Sequence, residues 1–398
     1  MKKIGLCICL MLMLVACGKS ENQSLNINFD KINELSLLVK EACVNASDGR
    51  VSFMGIGDNL IHDVINIRAD EANGAIDNDR DYTSIYEYIK DDIKNADLAF
   101  INQEIILGGE ELGLSGYPTF NTSQDLAPNL HDLGFDLYNT ATNHSLDRGY
   151  QGIVNSSNTW SQFDDICVAG TYVSQEDRDT IRVIEREGIK FAFLAYTYGT
   201  NGLIPTYDWE VAYFDETAIR NDVEKAKQVA DVIIVSAHWG DENTHVANDF
   251  QRTYAQLFAD LEVDVVIGTH PHVIQPIEYY TGINGNSLPV IYSLGNCVSG
   301  MIEFRNMVEG MITFDFVQDP NTKEITIENL LWTPLVDHYE SNSVNFYEDR
   351  HNFRIYKLSD YSEELASKHA LNLIGENVTL ERLKQLTNQV IDERYRVN

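Results

Sequence analysis

Short apolar runs alternate with amphipathic stretches along most of the chain. Runs typical of buried β-strands occur at Val51–Ile56, Leu98–Ile101, Phe135–Tyr138, Phe191–Tyr196, Val232–Ser236, Val265–Ile267 and Pro289–Tyr292. Between them, apolar residues recur at three- and four-residue spacing, which predicts helices around Ile85/Ile89/Ile93, Ile219–Val229 and Tyr254–Leu261. Strands that alternate with helices favour an α/β layered domain.

The last third of the chain departs from this alternation. A β-hairpin is predicted here, with strands at Met311–Phe316 and Ile325–Leu331 joined by the polar turn Asp319–Lys323. After Tyr347 the apolar spacing predicts helices at Tyr361–Leu373 and Thr379–Arg394. We therefore expect a main domain at residues 51–335 and a C-terminal helical extension at residues 336–398.

The N-terminus has the pattern of an export signal. Lys2 and Lys3 precede the apolar run Ile4–Val15, which is too short to span a bilayer as a mature helix. The segment Leu14–Cys17 resembles the lipobox of bacterial lipoproteins, in which the cysteine is lipidated. We expect a signal peptide at 1–16, a tether at 17–50 and a lipid anchor on Cys17 at the outer face of the bacterial cytoplasmic membrane. An ordinary cleaved signal peptide is the alternative.

The composition is strongly acidic. The 398 residues include 61 Asp and Glu but only 29 Lys and Arg, which gives a formal net charge of −32. Such a surface repels phosphate backbones, so nucleic acid is not an expected partner. An anionic substrate is compatible with this charge where bound cations reverse the local field. Beyond the signal and the lipid site, the scattered cysteines Cys43, Cys167 and Cys297 do not form a disulfide framework.

Side chains that can bind metals follow five of the apolar runs. They are Asp58 and His62 after the first run, Asn102 and Glu104 after the second, Asn143, His144 and Asp147 after the third, His238 and Glu242 after the fifth, and His270 and His272 after the sixth. Ligand sites of layered α/β sheets lie beyond the carboxyl ends of strands, so we expect these residues to converge. Carboxylate, amide and imidazole ligands together favour manganese, iron or zinc over calcium, and the set is large enough for two divalent ions.

Each of these residues has a structural alternative when it is taken alone. Asp58 follows a glycine and could stabilise a turn or cap a helix, and Asn143 with His144 could form a solvated turn. His238 could be a buried histidine that packs on its neighbouring tryptophan. Residues i and i+2 of an extended segment point the same way, so His270 and His272 are predicted to face one site. The coincidence at five strand ends favours the metal interpretation.

The order of these motifs along the chain is also similar to that of a known family. The segments GIGDNLIH, INQE, TNHSLDRG, AHWGDE, GTHPHVIQPIE and YSLGNC resemble, in this order, the motifs of the CapA family of poly-γ-glutamate capsule synthesis proteins. The resemblance extends over about residues 51–300. It implies a calcineurin-like metallophosphatase fold, a four-layer α/β/β/α sandwich with two divalent metal ions at one edge.

The resemblance also implies roles for individual residues. The metal ligands would be Asp58, Glu104, Asn143, His238, His270 and His272, with His62, Asn102 and Glu242 as additional candidates for metal or substrate binding. His144 would protonate a leaving oxygen, and Asp147 would orient its ring. Two positions depart from the superfamily pattern. Leu60 stands where a histidine is usual, and INQE lacks the usual bridging aspartate, a place that Glu104 could take.

These features lead to one functional hypothesis and one rival. We expect a surface-anchored, metal-dependent hydrolase of phosphoesterase type that acts in the biosynthesis, export or anchoring of poly-γ-glutamate. Its partners would be the membrane, the polymer and other capsule synthesis or export subunits. The rival is a non-catalytic, metal-binding scaffold subunit of such a complex, and the behaviour of a His144 variant separates the two.

Overall fold

A computed structural model describes residues 49–72, 74, 79–342 and 345–397. The predicted signal peptide, Cys17, Cys43 and nearly all of the tether therefore lie outside the described residues. Within the described part, no helix is both long enough and apolar enough to cross a membrane. Cys167 and Cys297 are buried free thiols.

The strands form two sheets. In chain order they are β1 (Arg50–Asn59), β2 (Leu98–Asn102), β3 (Leu137–Asn139), β4 (Cys167–Ala169), β5 (Arg182–Arg186), β6 (Ile189–Thr197), β7 (Val232–His238), β8 (Val265–Thr269), β9 (Ile274–Thr281), β10 (Ser287–Leu294), β11 (Asn296–Val298), β12 (Val308–Gln318), β13 (Ile325–Glu340) and β14 (His351–Lys357). The first sheet is eight-stranded with the order β14-β13-β12-β1-β2-β3-β4, and β11 pairs with β1. The second is six-stranded with the order β5-β6-β7-β8-β10-β9.

Helices connect the parallel strands. Within the described residues the α-helices are α1 (Asp63–Glu71), α2 (Lys90–Asn95), α3 (Leu126–Leu133), α4 (Gly149–Trp160), α5 (Gln175–Asp179), α6 (Glu216–Ala226), α7 (Asp249–Asp260), α8 (Glu363–Lys368) and α9 (Leu380–Val390). Side-chain hydrogen bonds cap the N-termini of several of these helices. Asn248 and Gln251 form a capping box at α7, and Thr379 caps α9.

Successive side chains of β6 point to opposite faces of the second sheet and so contact different layers of the sandwich. Phe191 and Phe193 point into the core that the second sheet shares with the first, where Phe193 meets Phe100 edge-on with ring centroids 6.0 Å apart. Ala192 and Leu194 point to the opposite face and pack against α6 and α7. On the far side of the first sheet, α2 and α3 contribute apolar residues to its core. The expected α/β/β/α sandwich is confirmed.

All seven predicted strands are present, and so is the hairpin, as the antiparallel pair β12 and β13. The predicted helix at Tyr361–Leu373 is interrupted at His369, where α8 gives way to a 3₁₀ turn. The segment 336–398 contains α8 and α9 but also β14, which the sequence pattern did not predict. Strands β4, β5, β9 and β11 were missed as well.

Candidate metal centre

The parallel strands of both sheets end at the same edge of the sandwich. The backbone N–H of His270, just after β8, donates to the Asp58 carboxylate at the end of β1, with N···O distances of 3.1 and 3.3 Å. Near this edge, two glycines in the strands β1 and β8 allow neighbouring backbone segments to approach them closely. A Cβ at Gly57 would lie 1.9 Å from the backbone oxygen of Gly295, and a Cβ at Gly268 would lie 2.0 Å from that of Tyr292.

A first cluster of candidate ligands consists of Asp58, Glu104 and His272. One ligand atom from each lies within 4.8 Å of the others, and all three side chains are buried. The Nδ1 of His272 is 3.2 Å from Oδ2 of Asp58, and its Nε2 is 3.7 Å from Oε1 of Glu104. This cluster therefore joins the first sheet to the turn after β8.

Glu104 also belongs to a second cluster, with His238 and His270. The Nε2 of His238 lies 4.0 Å from Oε1 of Glu104 and 3.0 Å from Oδ1 of Asn143. On its other side, the Nδ1 of His238 lies 3.0 Å from the hydroxyl of Thr269, which fixes the ring. A third grouping pairs both histidines of the His-Pro-His segment with the exposed Glu242.

Three buried ligand atoms in these clusters have no hydrogen-bond partner among the described residues. They are Oε1 and Oε2 of Glu104 and Nδ1 of His270. Leaving a buried carboxylate unpaired is costly, and such groups generally bind a cation or change their protonation. The donor set of carboxylates, imidazoles and an amide oxygen fits a divalent metal ion.

Burial and the neighbouring charges shift the protonation of these ligands. Burial lowers the pKa of His238 and of His270 well below the usual value, so both imidazoles are neutral, as metal ligands must be. Burial also lowers the pKa of His272, but the Glu104 and Asp58 carboxylates outweigh it and raise this pKa to about 10. Burial raises the pKa of Glu104. The same two carboxylates would attract a divalent ion, which would replace the proton on His272, because a metal-bound imidazole is neutral.

His144 lies beside these clusters with its ring held in place. Its Nδ1 is 2.7 Å from Oδ2 of Asp147, which also accepts the backbone N–H of Phe120 at 2.6 Å. The Phe120 ring meets the His144 ring edge-on at 4.7 Å. No hydrogen bond to the Nε2 of His144 is formed by the described residues. This nitrogen is therefore available to a bound molecule.

Two of the additional candidates, Asn102 and His62, form side-chain hydrogen bonds within the protein. Asn102 donates to Oδ1 of Asp58 at 2.8 Å, while its own oxygen accepts from Asn139 at 2.6 Å. Asn102 therefore orients Asp58, and its oxygen already accepts one hydrogen bond. His62 lies outside the three clusters, and its Nδ1 accepts the backbone N–H of Gly300 at 2.9 Å.

One expectation about the His-Pro-His segment is wrong. His270 and His272 do not lie in an extended segment, because β8 ends at Thr269 and both histidines have positive φ angles, 97° and 56°. Both rings reach the clusters through this tight turn, with ring centroids 5.8 Å apart. Positive φ at non-glycine residues is strained and is frequent at functional sites.

The sequence interpretation missed two residues of the site. Asn296, at the start of β11, places its Oδ1 3.0 Å from Nδ1 of His272 and so orients that ring. Tyr198, in the loop after β6, packs on His270 with ring centroids 4.5 Å apart. Asn296 stands in the YSLGNC motif, which was a usable signal, whereas nothing in the local sequence singles out Tyr198.

A family profile described as "Bacterial capsule synthesis protein PGA_cap" matches residues 52–301, which is more than half of the 398 residues. The chain belongs to this family. The match confirms the family resemblance inferred from the motifs, and it spans all the candidate ligands of the metal centre.

Two curated relatives agree with this assignment. The PGA biosynthesis protein CapA of Bacillus subtilis (strain 168) is 29% identical over 187 residues, which cover 44% of this chain and 46% of that protein. The capsule biosynthesis protein CapA of Bacillus anthracis is 26% identical over 216 residues, or 49% of this chain and 51% of that protein. The aligned region thus spans about half the length of these relatives.

Solved structures resemble the fold only distantly. A putative 5'-nucleotidase from Staphylococcus aureus in complex with alpha-ketoglutarate aligns with a TM-score of 0.44 and 15% identity, covering 72% of this chain and 54% of that chain. The protein TT1561 of Thermus thermophilus aligns with a TM-score of 0.36 and 8% identity, covering 70% of this chain and 97% of that chain.

Proposed function

We propose that this PGA_cap family member is a metal-dependent hydrolase of phosphoesterase type that acts in capsule biosynthesis. The observation that carries the proposal is the set of buried, unpartnered ligand atoms on Glu104 and His270 beside the oriented imidazole of His144. Buried polar atoms without partners suit an ion, and a histidine with one free nitrogen suits proton transfer.

The candidate ligands divide into two overlapping sets. Asp58, Glu104 and His272 would hold one divalent ion, and Glu104, Asn143, His238 and His270 would hold a second. Manganese, iron and zinc match these donors. A divalent ion bound here would act as a Lewis acid and activate water near neutral pH.

The remaining chemistry belongs to the protein's own side chains. The Asp147 carboxylate accepts from Nδ1–H of His144 and stabilises the imidazolium form of the ring, which carries its second proton on Nε2. The Nε2 would donate this proton to the leaving oxygen of the substrate. Packing against Phe120 restricts rotation of the His144 ring and excludes water from one of its sides.

Localisation and partners are part of the same proposal. The apolar run Ile4–Val15 and the lipobox-like Leu14–Cys17 support export and a lipid anchor at the outer face of the cytoplasmic membrane. Poly-γ-glutamate and other capsule synthesis or export subunits are the proposed partners. Labelled fatty acid should be incorporated by the parent chain and not by Cys17→Ser, and equal labelling of both would contradict the anchor.

Activity screening tests the function directly. The purified chain would be assayed with phosphomonoesters, phosphodiesters and γ-glutamyl peptides in the presence of manganese, iron or zinc. We expect His144→Gln to lower turnover by roughly 10²- to 10⁴-fold while metal content is retained. His131→Gln is a matched control, because His131 is partly exposed on α3 and pairs with Asp165. A parent without turnover, together with normal capsule assembly in His144→Gln cells, would instead identify a scaffold.

A further inference from the structure

A loop with unusual composition lies over the metal centre. It comprises residues 198–209, YGTNGLIPTYDW, and is here named the rim loop. Between 198 and 207 it has no charged residue, although 23% of the chain is charged. Its apolar side chains are nevertheless turned to solvent, as Ile204 is 89% exposed and Leu203 and Tyr207 are also exposed.

The rim loop is held in place by hydrogen bonds and packing. The buried carboxylate of Glu210 accepts the backbone N–H groups of Thr206 and Tyr207, both at 3.1 Å. Farther along, Tyr207 and Trp209 stack with ring centroids 4.9 Å apart, and both meet Tyr150 at the start of α4. The backbone of this half of the loop is therefore preorganised.

The inner end of the rim loop faces the candidate ligands. Tyr198 packs on His270, and Asn201 accepts a hydrogen bond from Nδ2 of Asn143 at 3.3 Å. The Tyr198 side chain is 41% exposed, and no described residue forms a hydrogen bond with its hydroxyl. A phenol at this position can donate to an oxygen of a molecule bound at the metal centre.

We propose that the rim loop makes the site specific for an amphiphilic oxyanion, such as an alkyl phosphate. The anionic group binds at the metal centre and accepts from the Tyr198 hydroxyl, while the hydrocarbon part lies on Leu203 and Ile204. This inference rests on the proposed function, because the metal ions provide the attraction for the anion. A purely polar polyanion would gain nothing from these exposed aliphatic side chains, whereas a hydrocarbon group buries them from water.

The test compares two ligands that differ only in their hydrocarbon. Binding of ethyl phosphate and of octyl phosphate, below its micelle concentration, to the manganese-loaded full-length chain would be measured by calorimetry. We expect octyl phosphate to bind at least about tenfold more tightly, because its additional methylenes are removed from water on Leu203 and Ile204. Equal affinity for the two ligands would overturn the proposal, as would the absence of octyl phosphate binding.

Substitutions test the contributions of Leu203 with Ile204 and of Tyr198 separately. The double variant Leu203→Ser/Ile204→Ser should bring the affinity ratio close to one, whereas Tyr198→Phe should weaken both ligands equally. Ile283→Ser is the matched control, because Ile283 is 77% exposed in the turn between β9 and β10 and should leave the ratio unchanged. An unchanged ratio of octyl phosphate to ethyl phosphate affinity in the double variant would contradict the proposed role of Leu203 and Ile204.

Two further outcomes keep this inference distinct from the proposed function. Hydrolysis of phosphoesters without any alkyl preference would refute the rim-loop assignment alone, and alkyl preference without hydrolysis would refute the proposed activity alone. Co-sedimentation with phosphatidylcholine vesicles that depends on Leu203 and Ile204, without octyl phosphate preference, would identify a membrane contact and overturn the substrate assignment.

Discussion

The Nε2 of His272 lies 3.7 Å from Oε1 of Glu104, at the point where two ligand clusters share one carboxylate. His272 belongs to the cluster with Asp58, and Glu104 also belongs to the cluster with His238 and His270. Glu104 is buried, and its two carboxylate oxygens have no hydrogen-bond partner among the described residues.

Replacing the shared carboxylate should therefore affect every bound ion. We expect Glu104→Gln, which removes the charge and keeps the size, to weaken manganese or zinc binding by at least about tenfold, as loss of even supporting groups does at metal sites. Metal titration followed by calorimetry measures this. Asp222→Asn is the control, since Asp222 is a buried carboxylate that pairs with Arg178 outside the clusters. Unchanged affinity in Glu104→Gln would exclude Glu104 as a ligand.

Asp147 is expected to act through His144. In Asp147→Asn the side chain keeps its size but loses the charge that orients and stabilises the ring, so kcat should fall by about 10- to 100-fold. Metal content should stay at the parent level, which distinguishes this effect from damage to the ligands. Asp132→Asn, at an exposed position on α3, should behave like the parent. A loss of metal in Asp147→Asn would contradict the orienting role.

The buried Asp337 should make stability depend on pH. Burial raises its pKa from 3.8 to about 8, although Ser299 donates to its carboxylate through both N and Oγ. The folded protein thus favours the protonated form, so this stabilisation is complete below about pH 4 and is lost as the pH rises to 8. Asp337→Asn cannot ionise, so its melting temperature relative to the parent should rise by a few degrees between pH 5 and pH 8. A difference that does not change with pH would contradict the raised pKa.

The close approach of strands at Gly268 should tolerate no side chain. A Cβ there would lie 2.0 Å from the backbone oxygen of Tyr292, so Gly268→Ala must displace β10 from β8. We expect a loss of about 3 kcal/mol in the free energy of unfolding, measured by denaturant titration. Gly199→Ala has open space around its Cβ and should cost little. Equal stability of the two variants would refute this packing argument.

The sequence was sufficient for the overall architecture because buried strands carry the strongest signal. Runs such as Val232–Ser236 and Val265–Ile267 are apolar on both faces, as strands between two layers must be. Strands at or near sheet edges were harder to predict. Arg182–Arg186 is charged on its exposed face, β9 contains Pro276, and β14 follows a polar segment.

The site was predictable to a similar extent and for a similar reason. Because the carboxyl ends of parallel strands converge, residues such as Asp58, Asn143 and His238 could be grouped from their positions after apolar runs. The tight turn at His270 and His272 could not be predicted, since positive φ at these residues depends on tertiary contacts. Tyr198 and Asn296 were missed because common polar residues reveal their roles only through their neighbours in space.

Metal content tests the central claim most directly. The claim is that ligands from both sheets converge to bind divalent ions, and elemental analysis of the purified parent, His238→Ala and His272→Ala would measure it. We expect manganese, iron or zinc in the parent, at up to two ions per chain, and a clear loss in each variant. His131→Ala, which lies outside the clusters, should match the parent. Equal metal content in the parent and both ligand variants, or none in the parent after loading, would contradict the account.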